Sequence, residues 1–247
     1  MSGEKILIVE DSVTVSRKID ATLKKMGYAV AAIVDNGKES IKKAYILKPD
    51  LVLMDIVLQG KMTGIEAAQE IRNNLKIPVI FLTSLTGDAT LEKAVAAEPF
   101  GYLLKPLDER ALKVTIQMAL FKHAMEEKLA ESERKCKAII DHSFEFIGMM
   151  KTDGTLIEAN RSALKKLGIK YSDVLGKPFW DTPGWSQSKE LQDRLKEAVL
   201  QAASGKFERF ETWYPTVDGS DIFVDFSLKP VRDEQGNVLF LLSLIHI

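Results

Sequence analysis

The segment Asp50-Leu-Val-Leu-Met-Asp-Ile56 decides how the first half of the chain folds. Its apolar run at 51–54 is typical of a strand buried on both faces, and the run ends in Asp55. Further apolar runs lie at 6–9, 30–34, 79–82 and 102–104. Between and after them, apolar residues three or four positions apart occupy 13–26, 38–47, 65–75, 89–97 and the segment after Pro106. This alternation predicts an α/β domain over residues 1–120, a doubly wound sheet of five parallel strands with five helices.

Polar side chains follow four of these predicted strands. Glu10 and Asp11 come after the first strand, Asp55 after the third, Thr83 after the fourth and Lys105 after the fifth. Ligands of such sheets bind at the carboxyl ends of the strands, so we expect these residues to converge. Three neighbouring carboxylates repel one another unless a cation joins them, and oxygen ligands favour Mg²⁺. A lysine and a hydroxyl beside them would stabilise the oxygens of a phosphoryl group.

In order and spacing, these residues resemble the receiver domain of two-component response regulators, across residues 1 to about 120. The resemblance implies a flavodoxin-like fold in which Asp55 is the phosphoacceptor. It also implies a Mg²⁺ site formed by Glu10, Asp11, Asp55 and the backbone carbonyl of Val57.

The same resemblance implies that Thr83 and Lys105 bind the phosphoryl oxygens, with a cis peptide before Pro106. Tyr102 occupies the aromatic switch position, which would act together with Thr83. In the family, the side chains two residues beyond the phosphoacceptor and two beyond the Thr/Ser flank the water that hydrolyses the aspartyl phosphate. Here they are Val57 and Leu85, and neither side chain can hydrogen-bond to that water. We therefore expect slow self-dephosphorylation.

A long helical segment follows the fifth predicted strand. Residues 107–140 contain no Gly or Pro, and charges of both signs interleave over 122–137. An apolar stripe with spacings of three and four and one phase slip comprises Met118, Phe121, Met125, Leu129, Ser132, Cys136 and Ile139. The segment at 121–140 is therefore predicted to be a helical signalling linker. Its stripe fits two interpretations, a helix paired with another helix and a helix packed on its own domain.

The pattern changes over residues 141–247, where strand-like runs predict an α+β domain with an antiparallel sheet. This part resembles a PAS domain through the segments at 141–143, 151–160, 174–179, 216–219 and 230–237. Asp153-Gly154 and Asp218-Gly219 predict turns, Asn160 is expected to cap a helix, and Trp180, Trp185 and Trp213 are expected in the core. Such domains bind haem, flavin, small metabolites or nothing, so the cofactor is left open. Cys136 lies before the domain, which excludes cysteinyl-flavin photochemistry, and His142 is not expected to be a haem ligand.

Composition excludes several other classes. Among 247 residues, Lys and Arg number 34 against 35 Asp and Glu, so a net charge of −1 provides no basic field for nucleic acid. No helix-turn-helix pattern is visible, and direct binding to nucleic acid is not expected. The longest apolar stretch, about 238–245, is too short for a membrane span. The single cysteine cannot form an intramolecular disulfide, and we expect a cytoplasmic protein.

The resemblance to a receiver domain and a PAS domain implies a non-enzymatic phosphorelay protein. The receiver would accept a phosphoryl group from a histidine kinase or phosphotransfer protein and couple it through the linker to the PAS domain. We expect a homodimer formed through the linker or the PAS domain. An alternative is the input portion of a larger histidine kinase whose catalytic module is absent from this chain, since the PAS domain is expected to be truncated at its C-terminal end. A constitutive scaffold is disfavoured because the acidic, hydroxyl and lysine set is intact.

Overall fold

The computed structural model describes residues 3–84, 99–143, 145–166, 168–183, 185–186, 188–215 and 221–246. The chain divides into two compact units, 1–130 and 131–247. The helix predicted at 89–97, Leu85 and the turn at Asp218-Gly219 lie outside the described residues.

The first unit contains a parallel sheet with flanking helices, as the sequence predicts. Its strands are β1 (Lys5–Val9), β2 (Ala29–Val34), β3 (Leu51–Asp55), β4 (Val79–Thr83) and β5 (Gly101–Leu104). Its described helices are α1 (Val13–Lys25), α2 (Gly37–Leu47), α3 (Gly64–Leu75) and α4 (Glu109–Asp141), the last of which continues into the second unit. The strand order is β2-β1-β3-β4-β5, and every neighbouring pair is parallel.

Alternate residues of the central strands supply two apolar layers, one on each side of this sheet. Leu7, Val9, Val52 and Met54 belong to one layer, while strand neighbours such as Ile8 belong to the other. Every residue of β3 is buried, which explains why its first four residues, 51–54, are all apolar. The chain moves from β1 to β2 in one direction and from β3 to β5 in the other, so the order reverses at β1 and β3. The carboxyl ends of these two strands therefore form the topological switch point of the sheet.

Helix α4 is one continuous helix of 33 residues. Its first turn is capped by Asp108, whose Oδ1 accepts a hydrogen bond from the N–H of Ala111 at 2.8 Å. Leu112, Ile116 and Ala119 are buried against the first unit. By contrast, every side chain over 131–140 is exposed. In the structure, residues 131–140 of α4 are therefore not packed on a domain of the same chain. No helix among the described residues is both long enough and apolar enough to cross a bilayer.

The second unit is an α+β fold with an antiparallel sheet, again as predicted. Its strands are β6 (Phe146–Met150), β7 (Leu156–Ala159), β8 (Glu208–Pro215), β9 (Asp221–Arg232) and β10 (Val238–His246), in the order β7-β6-β10-β9-β8. Helices α5 (Arg161–Lys166) and α6 (Lys189–Ala203) and two short 3₁₀ helices, Tyr171–Asp173 and Phe179–Asp181, complete its described elements. Asp153-Gly154 forms the predicted turn, with Gly154 at a φ of 85° and Asp153 accepting a hydrogen bond from the N–H of Thr155.

Two expectations for this unit are wrong. Trp185 lies in the core among Phe179, Tyr214 and Phe226, but Trp213 is 60% exposed and contacts Phe223 on the outer face of the sheet. Tyr214, the next residue along β8, takes the inward position, and side chains alternate along a strand.

Among the hydrogen bonds of the described residues, none links the side chain of Asn160 to the first turn of α5. Instead, its Oδ1 accepts a hydrogen bond from the N–H of Ile147, and its Nδ2 donates one to the carbonyl oxygen of Glu145. The first N–H of α5, at Arg161, donates to the side chain of Asp141 at 2.9 Å. The buried Asn160 therefore ties two chain segments together, while Asp141 satisfies the helix terminus.

Candidate functional site

Three carboxylates meet at the switch point. Glu10 and Asp11 follow the last residue of β1, and Asp55 is the last residue of β3. One oxygen from each side chain lies within 4.8 Å of the others. Glu10 is 2% exposed and Asp55 is 7% exposed. Burial raises the pKa of Glu10 above its usual value, and the neighbouring Asp55 also contributes to this rise. The three acidic residues predicted to converge are thus brought together.

Lys105 supplies the positive charge of this cluster. Its Nζ lies 2.5 Å from Oε2 of Glu10 and 2.5 Å from Oδ2 of Asp55. Burial disfavours the charged ammonium, but hydrogen bonds to Asp55 and Glu10 outweigh this effect and raise the pKa of Lys105. The Lys105–Pro106 peptide is cis, as predicted. Because a lysine remains charged at neutral pH, it offsets part of the carboxylate repulsion.

The backbone fixes the orientation of the Asp55 carboxylate. Its Oδ1 accepts a hydrogen bond from the N–H of Val57 at 3.0 Å, so its two oxygens have different partners. The side chain of Val57 is 71% exposed. Just after the end of β1, Oε1 of Glu10 accepts a hydrogen bond from the N–H of Ser12 at 3.2 Å.

Thr83 lies on β4, next to β3, and Tyr102 lies on β5, the following strand of the sheet. Thr83 is the last residue of β4, and its carbonyl oxygen accepts a hydrogen bond from the N–H of Lys105 at 2.8 Å. Tyr102, in the middle of β5, contacts Phe81 with a ring-centroid distance of 6.0 Å. The hydroxyl of Tyr102 is buried and has no hydrogen-bond partner among the described residues, and burial raises the pKa of this phenol.

Sequence reasoning missed one residue of the site, Gly64. An ideal Cβ at this position would lie 1.8 Å from the carbonyl oxygen of Asp55. Gly64 is the first residue of α3, where Thr63 and Glu66 form a reciprocal capping box. The pattern Thr63-x-x-Glu66 was available as a signal for a helix start, although not for the close approach to Asp55.

The donor set of this site fits a hard divalent cation. It offers only oxygens, from Glu10, Asp11 and Asp55, and the partly exposed Asp11 leaves access for water. Mg²⁺ prefers carboxylate oxygens and retains several water ligands. Phosphoryl transfer chemistry also requires a cation beside the reacting oxygens, which the ammonium of Lys105 supplies in part.

Comparison with known proteins identifies both units. Residues 6–117 match the family model described as a response regulator receiver domain, and residues 145–246 match that of a PAS domain. The chain is a receiver domain followed by a PAS domain. The predicted pairing and order of the two families are therefore confirmed, and the acidic cluster described above belongs to the receiver domain.

Proteins that are similar in sequence to this chain include a sensor histidine kinase and a transcriptional regulatory protein. The sensor histidine kinase TmoS of Ectopseudomonas mendocina is 34% identical over 145 residues, which cover 57% of this chain and 15% of the kinase. The transcriptional regulatory protein PdtaR of Mycobacterium tuberculosis is 31% identical over 116 residues, covering 47% of this chain and 56% of that protein. The chain thus spans less than two thirds of either relative.

Among solved structures, the receiver domain of the sensor histidine kinase PA1611 from Pseudomonas aeruginosa is 31% identical. The match covers 48% of this chain and 98% of that one, with a TM-score of 0.44. That structure is described with a magnesium ion coordinated in its active-site cleft.

Proposed function

We propose that the receiver domain accepts a phosphoryl group on Asp55 from a histidine kinase or a phosphotransfer protein, in a Mg²⁺-dependent reaction. The observation that carries this proposal is the position of Lys105, whose Nζ lies between Glu10 and Asp55 at the switch point of the sheet. A lysine at this place can neutralise the charge of a phosphoryl group on Asp55.

In the proposed reaction, a carboxylate oxygen of Asp55 attacks the phosphorus of a phosphohistidine. A P–O bond forms, the P–N bond breaks, and the leaving imidazole keeps the electron pair and takes up a proton from water. The Val57 N–H and Lys105 hold the two oxygens of Asp55 in different directions before the attack. We propose that Lys105 then moves with Thr83 to bind the transferred oxygens.

Glu10, Asp11, Asp55 and the backbone carbonyl of Val57 are the proposed Mg²⁺ ligands. A bound Mg²⁺ would neutralise charge between the anionic donor and the anionic acceptor. The chain's own contribution is to keep Glu10 and Asp55 buried and close to each other. Because these two carboxylates repel each other, a bound cation would relieve the repulsion.

We propose that Thr83 and Tyr102 report the phosphorylated state. Thr83 lies at the end of β4, and the Tyr102 hydroxyl lacks a partner among the described residues, so a change at Thr83 could give this hydroxyl a new partner. The output would pass along α4. We place the receiver at 1–120, the linker at 121–140 and the PAS domain at 141–247, and propose that the chain acts as a cytoplasmic homodimer through the linker or the PAS domain.

A second candidate function is the input portion of a larger histidine kinase. It is favoured by the similarity to TmoS, a sensor histidine kinase of which the aligned residues cover 15%. In that case the receiver of this chain would control a kinase domain elsewhere in the full protein. The length of the natural reading frame distinguishes the two candidates. In both, the receiver promotes its own phosphorylation and dephosphorylation and has no kinase activity.

The proposal is tested by intact-mass measurement of the full chain with acetyl phosphate, a small phosphodonor. With Mg²⁺ we expect one added phosphoryl group, which EDTA abolishes. Asp55→Asn should remain unlabelled, whereas the control Asp20→Asn, on α1 and paired with Lys24 away from the acidic cluster, should label normally. Equal labelling of Asp55→Asn would refute the assignment.

A further inference from the structure

Helix α4 has two apolar faces, and the receiver domain covers only one of them. Leu112, Ile116 and Ala119 are between 0% and 1% exposed and form the inner face. Val114 and Met118 lie two positions after Leu112 and Ile116, which is more than half a turn around the helix. These two residues are 47% and 67% exposed. The receiver therefore holds α4 by one side and leaves the opposite side uncovered.

The uncovered side is a continuous apolar band, which we call the outer stripe. It consists of Val114, Met118, Phe121, Met125, Leu129, Ser132, Cys136 and Ile139. All of its large apolar members are at least 40% exposed. The mean spacing is about 3.6 residues, the period of an α-helix, so the stripe stays on one side of α4 along its whole length. Since Val114 is part of it, the stripe begins inside the receiver domain and not in the linker.

Charged pairs border the outer stripe on both sides. Lys122 and Glu126 lie beyond one edge, with Nζ and Oε1 3.8 Å apart, and Glu131 and Lys135 lie beyond the other, at 2.6 Å. Each pair joins residues four positions apart on α4, so these charges are satisfied within one helix. An apolar centre between two polar borders is the arrangement of a helix that pairs with another helix.

We propose that the outer stripe is the interface with the same stripe of a second copy of this chain. The chain's own receiver cannot cover the stripe beside residues 112–119, because it already occupies the opposite side of α4. No other helix in the described ranges has an exposed apolar stripe of comparable length. A second copy brings an identical stripe of the same length and spacing, and an interface of like with like closes as a two-fold dimer. This deepens the proposed homodimer by assigning it to α4.

The exposed aromatic pair on the PAS sheet is the competing surface. Trp213 is 60% exposed and Phe223 is 49% exposed, with ring centroids 5.2 Å apart. This pair is a small patch next to charged neighbours such as Arg209, Glu211 and Asp225. The aromatic pair therefore offers less continuous apolar surface than the outer stripe. The variant Trp213→Glu in the experiment below tests whether this pair contributes to the dimer.

Sedimentation equilibrium of the full chain tests the interface. We expect the unmodified chain to be dimeric and Met125→Glu/Leu129→Glu to raise the dimer dissociation constant at least about a hundredfold, since two carboxylates per chain would be buried. Ala124→Glu/Ala138→Glu is the matched control, because it adds the same charge at exposed positions of α4 outside the stripe. This control and Trp213→Glu should remain dimeric. Val114→Glu should weaken the dimer although it lies in the receiver.

Three results would overturn the proposal: a monomeric unmodified chain at every soluble concentration, a stripe variant that stays dimeric, or dissociation by Trp213→Glu alone. Helix content by circular dichroism and labelling by acetyl phosphate verify that the variants are folded. The same series in the Asp55→Asn background separates this inference from the proposed phosphoryl transfer. Dimerisation there would support the interface even if the receiver were never labelled.

Discussion

Replacing Gly64 with alanine should distort the backbone that carries Asp55. The added methyl carbon would lie 1.8 Å from the Asp55 carbonyl oxygen, whereas close C···O contacts measure about 3.3 Å or more, so a shift of about 1.5 Å is needed. The obstacle is backbone, so no change of rotamer removes it. The shift would also weaken the hydrogen bond from the Gly64 N–H to the Ile56 carbonyl oxygen, now 3.1 Å. We expect the free energy of unfolding of the receiver to fall by about 2–4 kcal/mol, with slower labelling of Asp55.

Gly37 provides a matched control, since it begins α2 as Gly64 begins α3. An added Cβ at Gly37 would first meet Cγ of Met62 at 3.0 Å, and a methionine side chain can move. Gly37→Ala should therefore change the stability by less than about 1 kcal/mol. Hydrogen exchange of the β1 and β3 amides in urea measures the stability of the receiver domain. Fluorescence of the three tryptophans, which all lie in the PAS domain, measures the stability of the other unit. Equal effects of the two alanines, or a neutral Gly64→Ala, would refute the reasoning.

Three further predictions concern charge and signal lifetime. Lys105→Met leaves Glu10 and Asp55 without their cation, so titration calorimetry should show tighter Mg²⁺ binding by about tenfold, with slower labelling; weaker binding would contradict this. A hydrogen bond from the Asn237 side chain lowers the pKa of Asp233. The ionised Asp233 therefore contributes fully to the stability of the PAS domain above about pH 4, and this contribution is lost as the pH falls further. Melting temperatures followed by tryptophan fluorescence should fall less steeply with acid in Asp233→Asn. Val57→Asn, alone or with Leu85→Glu, should speed the decay of labelled protein, and an unchanged rate in the double variant would exclude a role for these side chains.

The fold could be predicted because its strands carry unambiguous patterns. The run at 51–54 is apolar at every position, as a doubly covered strand requires, and the structure extends it only by Asp55. The convergence of Glu10, Asp55 and Lys105 also followed from the sequence. Parallel strands bring their carboxyl ends to one edge, so residues distant in the chain become neighbours by topology alone.

Features that depend on distant contacts could not be predicted. The approach of Gly64 to the Asp55 carbonyl requires the packing of α3, and local sequence indicates only a helix start. Trp213 and Tyr214 are adjacent aromatics on β8, so alternation alone does not say which of them faces inward. The N–H of Arg161, the first residue of α5, donates a hydrogen bond to Asp141, which lies twenty positions earlier in the chain. A capping rule considers only the residue next to the helix, and it therefore pointed to Asn160.

Site mapping of the phosphoryl group tests the central claim most directly. The full chain is labelled with acetyl phosphate and Mg²⁺, the acyl phosphate is trapped by reduction with borohydride, and the peptides are sequenced by mass spectrometry. We expect one reduced residue, Asp55, in the peptide that contains β3, and none in a sample treated with EDTA. Reduction at Glu10 or Asp11, or labelling that is independent of the metal, would contradict the proposed function of this receiver domain.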